Sequence, residues 1–275
     1  MRKKSKFVSG SFILFIGLIV GSWIYLHVSH PDLWSVFNSR NKDFLFRFIR
    51  QLFGEGAPRI AYGDKGSWQE VLKLSYQTVL TSILAIGFAA IGVLLTVIPA
   101  ASNIADGRLT LKKTWYGKLI FYIIRLAYIF SRAVPELVWA MLIVFVLRPG
   151  ILPGAVALGI HNFGSLGKLC AEVVEDVDPA SIQNLSNSGA SSNQILLYGV
   201  IPSCFQKFLY YTLYRFEVIA RSTIVVGAVG AGGLGEYFRI SMSHMDYTAV
   251  TLAIICYLFI VYATDFISGR LQKLV

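Results

Sequence analysis

Of the 275 residues, 55% are hydrophobic and only 15% charged, with a mean hydropathy of +0.62. Soluble domains run at about 45–50% apolar and about 25% charged, so the chain reads as an integral membrane protein with room for roughly five to seven spans. The net charge of +10 would suit a nucleic-acid binder, but the basic residues flank the apolar runs, where membrane topology puts them, and no nucleic-acid partner is expected.

The chain opens MRKKSK, followed by the apolar run Phe7–Val28. That run is too long for a signal peptide and shows no obvious small-residue cleavage site, so it reads as a first span with its basic end inside. Gly17 and Gly21 form a GxxxG, a spacing that lets another helix approach closely. Ser29 to Glu70 is polar and mixed, broken by Pro31, Gly54, Gly56, Pro58, Gly63 and Gly66. Within it Phe44–Phe53 reads as a short amphipathic helix at the outer surface. Residues 1–70 are thus taken as a membrane anchor helix with an external loop, and 71–275 as the main transmembrane domain.

Val71–Ile98 is the second span, and Pro99–Lys118 a basic loop with Arg108, Lys112, Lys113 and Lys118. Leu119–Leu147 reads as a continuous third span carrying Arg125, Arg132 and Glu136. RPGILPG, residues 148–154, is a tight turn, and Ala155–Ala171 the fourth span. The acidic run Glu175, Asp176 and Asp178 that follows reads as a solvated face. Phe205–Gly230 is the fifth span, with Arg215, Glu217 and Arg221, and Tyr247–Ile267 the sixth. The N-terminal tail (Arg2, Lys3, Lys4, Lys6), the 99–118 loop and the C-terminal tail (Arg270, Lys273) fall on one side of six spans. Basic asymmetry then places both termini in the cytoplasm, and residues 172–202 with them. The basic residues of the 29–70 loop run against the rule.

Three cysteines, Cys170, Cys204 and Cys256, and the scattered His27, His30, His161 and His244 offer no metal-ligand spacing and no disulfide framework. Gly230, Gly232 and Gly235 spell GxGxxG, but an apolar span precedes and another follows, which is the wrong context for a dinucleotide site. The run reads instead as a glycine-rich break beside a span. No Walker A sequence occurs, so any ATP that drives this protein, with its magnesium, is bound by another chain.

Charges at the bilayer centre are expensive and are not kept facing lipid. Arg132 and Glu136, and likewise Glu217 and Arg221, stand at i,i+4 and can meet on one helix face. Two readings remain open for these groups and Arg215: structural pairing or snorkelling, or a polar path for an anion.

The longest polar interruption in the second half is QNLSNSGASSNQILLYGVIP, residues 183–202. Asn184, Ser186, Asn187 and Ser188 disfavour a long helix, and Gly189 permits a sharp turn between two short helices. An apolar patch at Ile195–Tyr198 and then Pro202 complete a piece suited to a groove on a soluble partner. Its spacing resembles the coupling loop of ABC-importer permeases: Gly189 and Pro202 stand at the family's separation, and Ile201 takes its Leu position. Gln183, Asn184 and Leu185 replace the usual Glu-Ala-Ala, and Gly199 an Ile. With SRAVPELVWA (131–140), GSLGKLCAE (164–172) and YRFEVIARSTIVVGAVGAGGLG (214–235) in the same order, residues 70–270 look like the phosphonate branch of ABC-importer permeases.

That resemblance implies an all-α fold of about six transmembrane helices with a cytoplasmic coupling loop, in a bacterial inner membrane. It implies a homodimer with two ATP-binding subunits and an external substrate-binding protein, importing phosphonates or the similar oxyanions phosphite and phosphate. The chain itself would not be an enzyme. Gln183, Leu185, Gly189, Ile195 and Pro202 would couple to the ATPase, and Arg132, Glu136, Arg215, Glu217 and Arg221 would line the path. Two other readings stay open: an ion-driven secondary transporter using the intramembrane carboxylates, and a membrane-embedded enzyme acting on phosphate-bearing lipid.

Overall fold

A computed structural model describes residues 6–29, 38–107 and 115–274. Arg2, Lys3, Lys4, His30, Pro31, Arg108, Lys112 and Lys113 of the sequence argument lie outside the described residues. No strand occurs among the described residues. The chain divides after Gly56 into two compact units. The first holds α1 (Lys6–Ser29) and α2 (Ser39–Leu52). The apolar window of α1 has none of its residues buried, as suits a helix whose neighbours are lipid.

The second unit is a helical bundle. It begins with α3 (Lys65–Thr96) and the short α4 (Ser102–Ala105), then α5 (Trp115–Ala133), α6 (Glu136–Leu147) and α7 (Ile151–Glu175). The short helices α8 (Pro179–Asn187) and α9 (Ser192–Gln194) lead through a π-turn at Ile195–Val200 into α10 (Ile201–Val226). A second π-turn, Gly227–Ala231, precedes α11 (Gly233–Ser243), and α12 (Tyr247–Gln272) ends the unit.

Helix α7 is the hub. Its buried side includes Ala155, Leu158, Asn162, Leu166, Cys170 and Val174. Gly164 and Gly167 sit directly against Tyr128 of α5; a Cβ at either would overlap that tyrosine's carbonyl or ring. The close approach buries Tyr128, whose hydroxyl is hydrogen-bonded to Thr96 of α3 at 2.8 Å. Hydroxyls buried along α3 close onto their own helix: Ser75 donates to the Val71 carbonyl at 2.8 Å and Ser82 to that of Thr78 at 3.0 Å, so no donor is stranded where water is absent. Outward-facing Leu94, Leu95, Phe145, Phe259 and Tyr262 are exposed, the inverse of a soluble surface and the pattern of a lipid-facing one.

Among the described residues, three helices are long and apolar enough to cross a membrane: residues 10–29, α3 and α12. The number is five if each of two bent pairs counts as one span. The six-span expectation also includes α7, whose polar His161, Asn162, Ser165 and Lys168 lower its hydropathy and which the bundle surrounds. The expected third span is not continuous. Pro135 cannot donate to the helix ladder and biases Val134 away from helical geometry, and α5 and α6 meet there at 93°. Residues 57–64 pack with the bundle: the Ala61 N–H donates to Thr248 Oγ1 at the start of α12 (3.2 Å). The GxGxxG run forms the break between α10 and α11, where Gly233 (φ +69) lies against Thr78 and the Leu234 N–H donates to Thr78 Oγ1 at 2.9 Å.

Candidate coupling segment and polar path

Helix α8 starts cleanly because Asp178 accepts the Ala180 N–H at 3.0 Å and Pro179 stands in its first turn. It ends with Gly189 at φ +85. The Gly189 N–H donates to the Ser186 carbonyl (2.9 Å) and the Ala190 N–H to that of Leu185 (3.2 Å), the paired bonds of a Schellman ending. The next helix starts two residues later, where Ser191 donates through its N–H (2.8 Å) and its hydroxyl (3.0 Å) to Gln194 Oε1. The expected pair of short helices about Gly189 is present.

Gln183, Gly189 and Pro202 are exposed, and Leu185 is half-buried. Ile195 is different from its expected role: it is fully buried, in a core with Ile182, Val174 and Val200. It supports the segment from beneath and has no surface to offer a partner. The exposed apolar groups are Leu197 and Tyr198, and Tyr198 joins Leu185, Ser188, Gly189, Ala190 and Gln194 around an open groove of about 340 Å³.

The acidic run is not simply a solvated face. Glu175, at the end of α7, is ion-paired with Arg125 of α5 and accepts the Ser102 N–H at 2.7 Å. Arg125 also donates through Nε to the Ala100 carbonyl at 2.8 Å, and Asn103 Nδ2 to that of Val174 at 2.7 Å. This clasp binds α4, α5 and the last turn of α7 immediately before α8.

About 20 Å up α7 and α10, at 1.5 Å per residue, lies a second polar cluster. Arg215 donates through Nε to Asn162 Oδ1 at 3.0 Å, and fully buried Asn162 donates to the Leu158 carbonyl at 2.8 Å. Glu136, in the first turn of α6, lies within electrostatic reach of Arg215. Arg132 stands in the last turn of α5, half-buried, with its backbone against Gly164. The carbonyls freed by the break are recovered: Trp139 Nε1 donates to the Ser131 carbonyl at 3.0 Å, and His161 Nδ1 lies 3.0 Å from that of Val134.

The two expected i,i+4 pairs do not form. The 93° bend between Ala133 and Glu136 puts Arg132 and Glu136 on different helices. Glu217 and Arg221 share α10, but each closes onto α12: Arg221 binds Asp265 at 2.8 Å, and Glu217 accepts from Gln272 Nε2 at 3.1 Å. The structure therefore gathers Arg215 and Glu136 with Asn162 at the break, and sends Glu217 and Arg221 to the α10–α12 seam. Asn162, Glu175, Asp265 and Gln272 were not singled out from the sequence as partners. A buried Asn between glycines on an apolar helix was the one available signal.

Residues 98–275 match the family described as the binding-protein-dependent transport system inner membrane component. The chain belongs to that family. It is 32% identical over 225 residues to a phosphite transport system permease protein of Stutzerimonas stutzeri, covering 82% of this chain and 77% of that one. It is 32% identical over 184 residues to a phosphate-import permease protein of Mycolicibacterium smegmatis, covering 67% of this chain and 35% of that one. The fold matches the MetNI methionine ABC transporter in inward-facing conformations, with a TM-score of 0.64 at 14% identity over 76% of this chain and 98% of that one. The chain is a multi-pass membrane permease component of a binding-protein-dependent ABC importer, and not an enzyme.

Proposed function

We propose that this permease imports phosphite, phosphate or phosphonates across a bacterial inner membrane, driven by ATP bound with magnesium on partner subunits. The single observation that carries the substrate class is the likeness to permeases named for phosphite and phosphate over two thirds or more of the chain. The polar cluster agrees with it. Arg215 is held by a neutral amide, which fixes the guanidinium without cancelling its charge, and Arg offers a planar fork suited to such an oxyanion. Glu136 moderates the attraction, as an importer that must release its cargo requires.

Two copies of the chain would pair with two ATP-binding subunits and an external binding protein. Both termini and residues 172–202 would be cytoplasmic, and residues 29–70 external. Gln183, Leu185, Gly189 and Pro202 would form the docking face, with Ile195 beneath it. The path would pass Arg132, Glu136 and Arg215, with Glu217 and Arg221 lining it from the α10–α12 seam, where each is held by a partner on α12. The test is uptake of labelled phosphite, phosphate and a phosphonate by proteoliposomes holding the whole complex, with its binding protein outside and ATP inside. ATP-dependent uptake of one of them is expected. Uptake by the permease alone on an ion gradient would overturn the ABC reading, and uptake of none of the three oxyanions the substrate class.

A further inference from the structure

Helix α2, SRNKDFLFRFIRQL, has the composition of a surface-seeking helix rather than of a span. Projected at roughly 100° per residue, Phe44, Phe48, Leu52, Leu45 and Ile49 fall within about 140° of arc. Arg40, Asp43, Arg47 and Arg50 occupy the opposite side, and Gln51 and Lys42 stand at the two edges of the apolar arc, beyond Phe44 and Ile49. Two residues break the division: Phe46 falls on the polar side, and Asn41 within the apolar arc, between Phe48 and Leu52. Phe44, Leu45 and Ile49 are 52%, 56% and 39% exposed, so both edges of this arc and Leu45 within it stand open, while Phe48 and Leu52 are half-buried. The Arg47 and Arg40 guanidinium groups lie 5.0 and 6.0 Å from the Phe44 ring centroid, one turn of helix drawing cationic heads and an apolar ring together at the same edge.

Four cations, Arg40, Lys42, Arg47 and Arg50, stand against one acid, Asp43, which leaves three net positive charges on 14 residues. A basic polar face bordering an apolar one matches an anionic lipid surface: the rings and aliphatic groups enter the headgroup boundary, and the long cationic side chains reach up to the phosphates. The tether favours the same occupant. Helix α1 is long and apolar enough to span, and it ends at Ser29. The ten residue steps from Ser29 to Ser39 reach at most about 36 Å when fully extended. Wherever α1 leaves the bilayer, α2 is therefore held close to that surface.

We propose that α2 lies in the plane of the membrane interface and binds anionic phospholipid headgroups, with Phe44, Leu45 and Ile49 inserted and Arg40, Lys42, Arg47 and Arg50 on the phosphates. The external surface to which basic asymmetry assigns this segment is a lipid surface as well as a solvent-facing one, and the cations there serve lipid binding. Their presence then offsets the exception that residues 29–70 make to the positive-inside rule.

The test uses the full chain with Cys170, Cys204 and Cys256 replaced by alanine and one new thiol, Leu45→Cys or Ser39→Cys, carrying a polarity-sensitive fluorophore. It is reconstituted in bilayers of phosphatidylcholine with or without phosphatidylglycerol. With phosphatidylglycerol, the label at 45 is expected to shift to the blue and be quenched by lipid-borne nitroxide, while the label at 39 stays open to iodide. Replacing Arg40, Arg47 and Arg50 by Gln should reduce the ratio of membrane-inserted to water-facing helix about a hundredfold at low salt. Lysine at the same three positions should retain insertion, and high salt should weaken it in the unaltered helix. Size-exclusion elution and circular dichroism check that the glutamine variant keeps the bundle. Three results would overturn the proposal: a label at 45 that stays in water in both bilayers, equal insertion with and without phosphatidylglycerol, or a blue shift without nitroxide quenching, which would mean that protein covers the face.

Discussion

Arg125 and Arg215 both sit on membrane helices and both reach to α7, yet the two ends of their reach are unlike. Arg125 meets a carboxylate, Glu175, and spends a second donor on the Ala100 carbonyl. Arg215 meets the neutral amide of Asn162, with Glu136 near enough to act on it through the field. The first arrangement neutralises a charge and ties three elements into one body next to the coupling segment. The second immobilises a guanidinium and leaves most of its charge available. The same residue type is thus an ion-paired strap in one place and is held by a neutral partner in the other, and the proposed path role of Arg215 rests on that difference.

The largest effect is expected where removing one member of the strap isolates the other. Glu175→Leu leaves Arg125 half-buried without its anion and the Ser102 N–H without its acceptor, a change that costs about 2–3 kcal/mol for a partly buried pair. Complex yield and melting temperature in detergent should both fall, and adding Arg125→Leu should recover most of the loss. If the single variant melts like the unaltered protein, Arg125 is no strap and the contrast with Arg215 fails.

Arg215→Gln sharpens the other half. Glutamine can still donate to Asn162 Oδ1, so the packing of α10 on α7 should survive and yield should stay near normal. The charge is gone, and a charge-assisted contact to an oxyanion exceeds a neutral one by about 1 kcal/mol or more. Uptake of labelled substrate should drop about tenfold, with ATP hydrolysis retained. Uptake that falls only in proportion to yield would make Arg215 a second strap.

Much of this was legible in the sequence, and the failures share a physical cause. The apolar runs located the helices, and Gly189 located the turn between two short ones, because these depend on local chemistry. Partners of charged groups depend on tertiary approach. An i,i+4 spacing offered Arg132 to Glu136, but Pro135 lies between them and breaks the helix that the spacing assumed. Glu217 and Arg221 kept their helix and still turned to α12, since Asp265 and Gln272 sit opposite. Ile195 read as a contact residue from its place in an apolar patch, and only the packing of Val174 and Ile182 against it shows which way it faces.

Gly189 carries neither kind of charge, and it tests whether the coupling segment is rigid in its own right. A Cβ at this position meets nothing within 4 Å, so space does not oppose a side chain; the φ of +85° does. Gly189→Val should strain the turn by about 1–2 kcal/mol and change the angle between α8 and α9 while the bundle stays folded. The expected readout is lower uptake per ATP hydrolysed at unchanged melting temperature. Normal uptake would mean that docking tolerates the bend.

The smallest effect belongs to a third arginine pair, placed in water. At the start of α3, Asp64 accepts Arg59 Nη2 at 2.6 Å and, through its other oxygen, the Ser67 N–H at 2.9 Å and hydroxyl at 3.0 Å. Arg59 and then the Ser67 donors hold its carboxyl down at about 2, below the ordinary aspartate value near 3.9. A carboxylate depressed on folding adds stability above its unfolded value and loses it as pH falls through the folded one. The contribution should therefore be constant above about pH 5 and vanish between about pH 4 and pH 2. Asp64→Asn keeps an oxygen for Ser67 and removes the charge. Its melting temperature should lie slightly below that of the unaltered protein at neutral pH, with the gap closing toward pH 2. Arg59 is mostly exposed, so solvent screens this pair as it does not screen Arg125 and Glu175. A gap as wide as that of Glu175→Leu, or one that persists at pH 2, would mean that pairing alone, and not the surroundings, sets what an arginine contributes here.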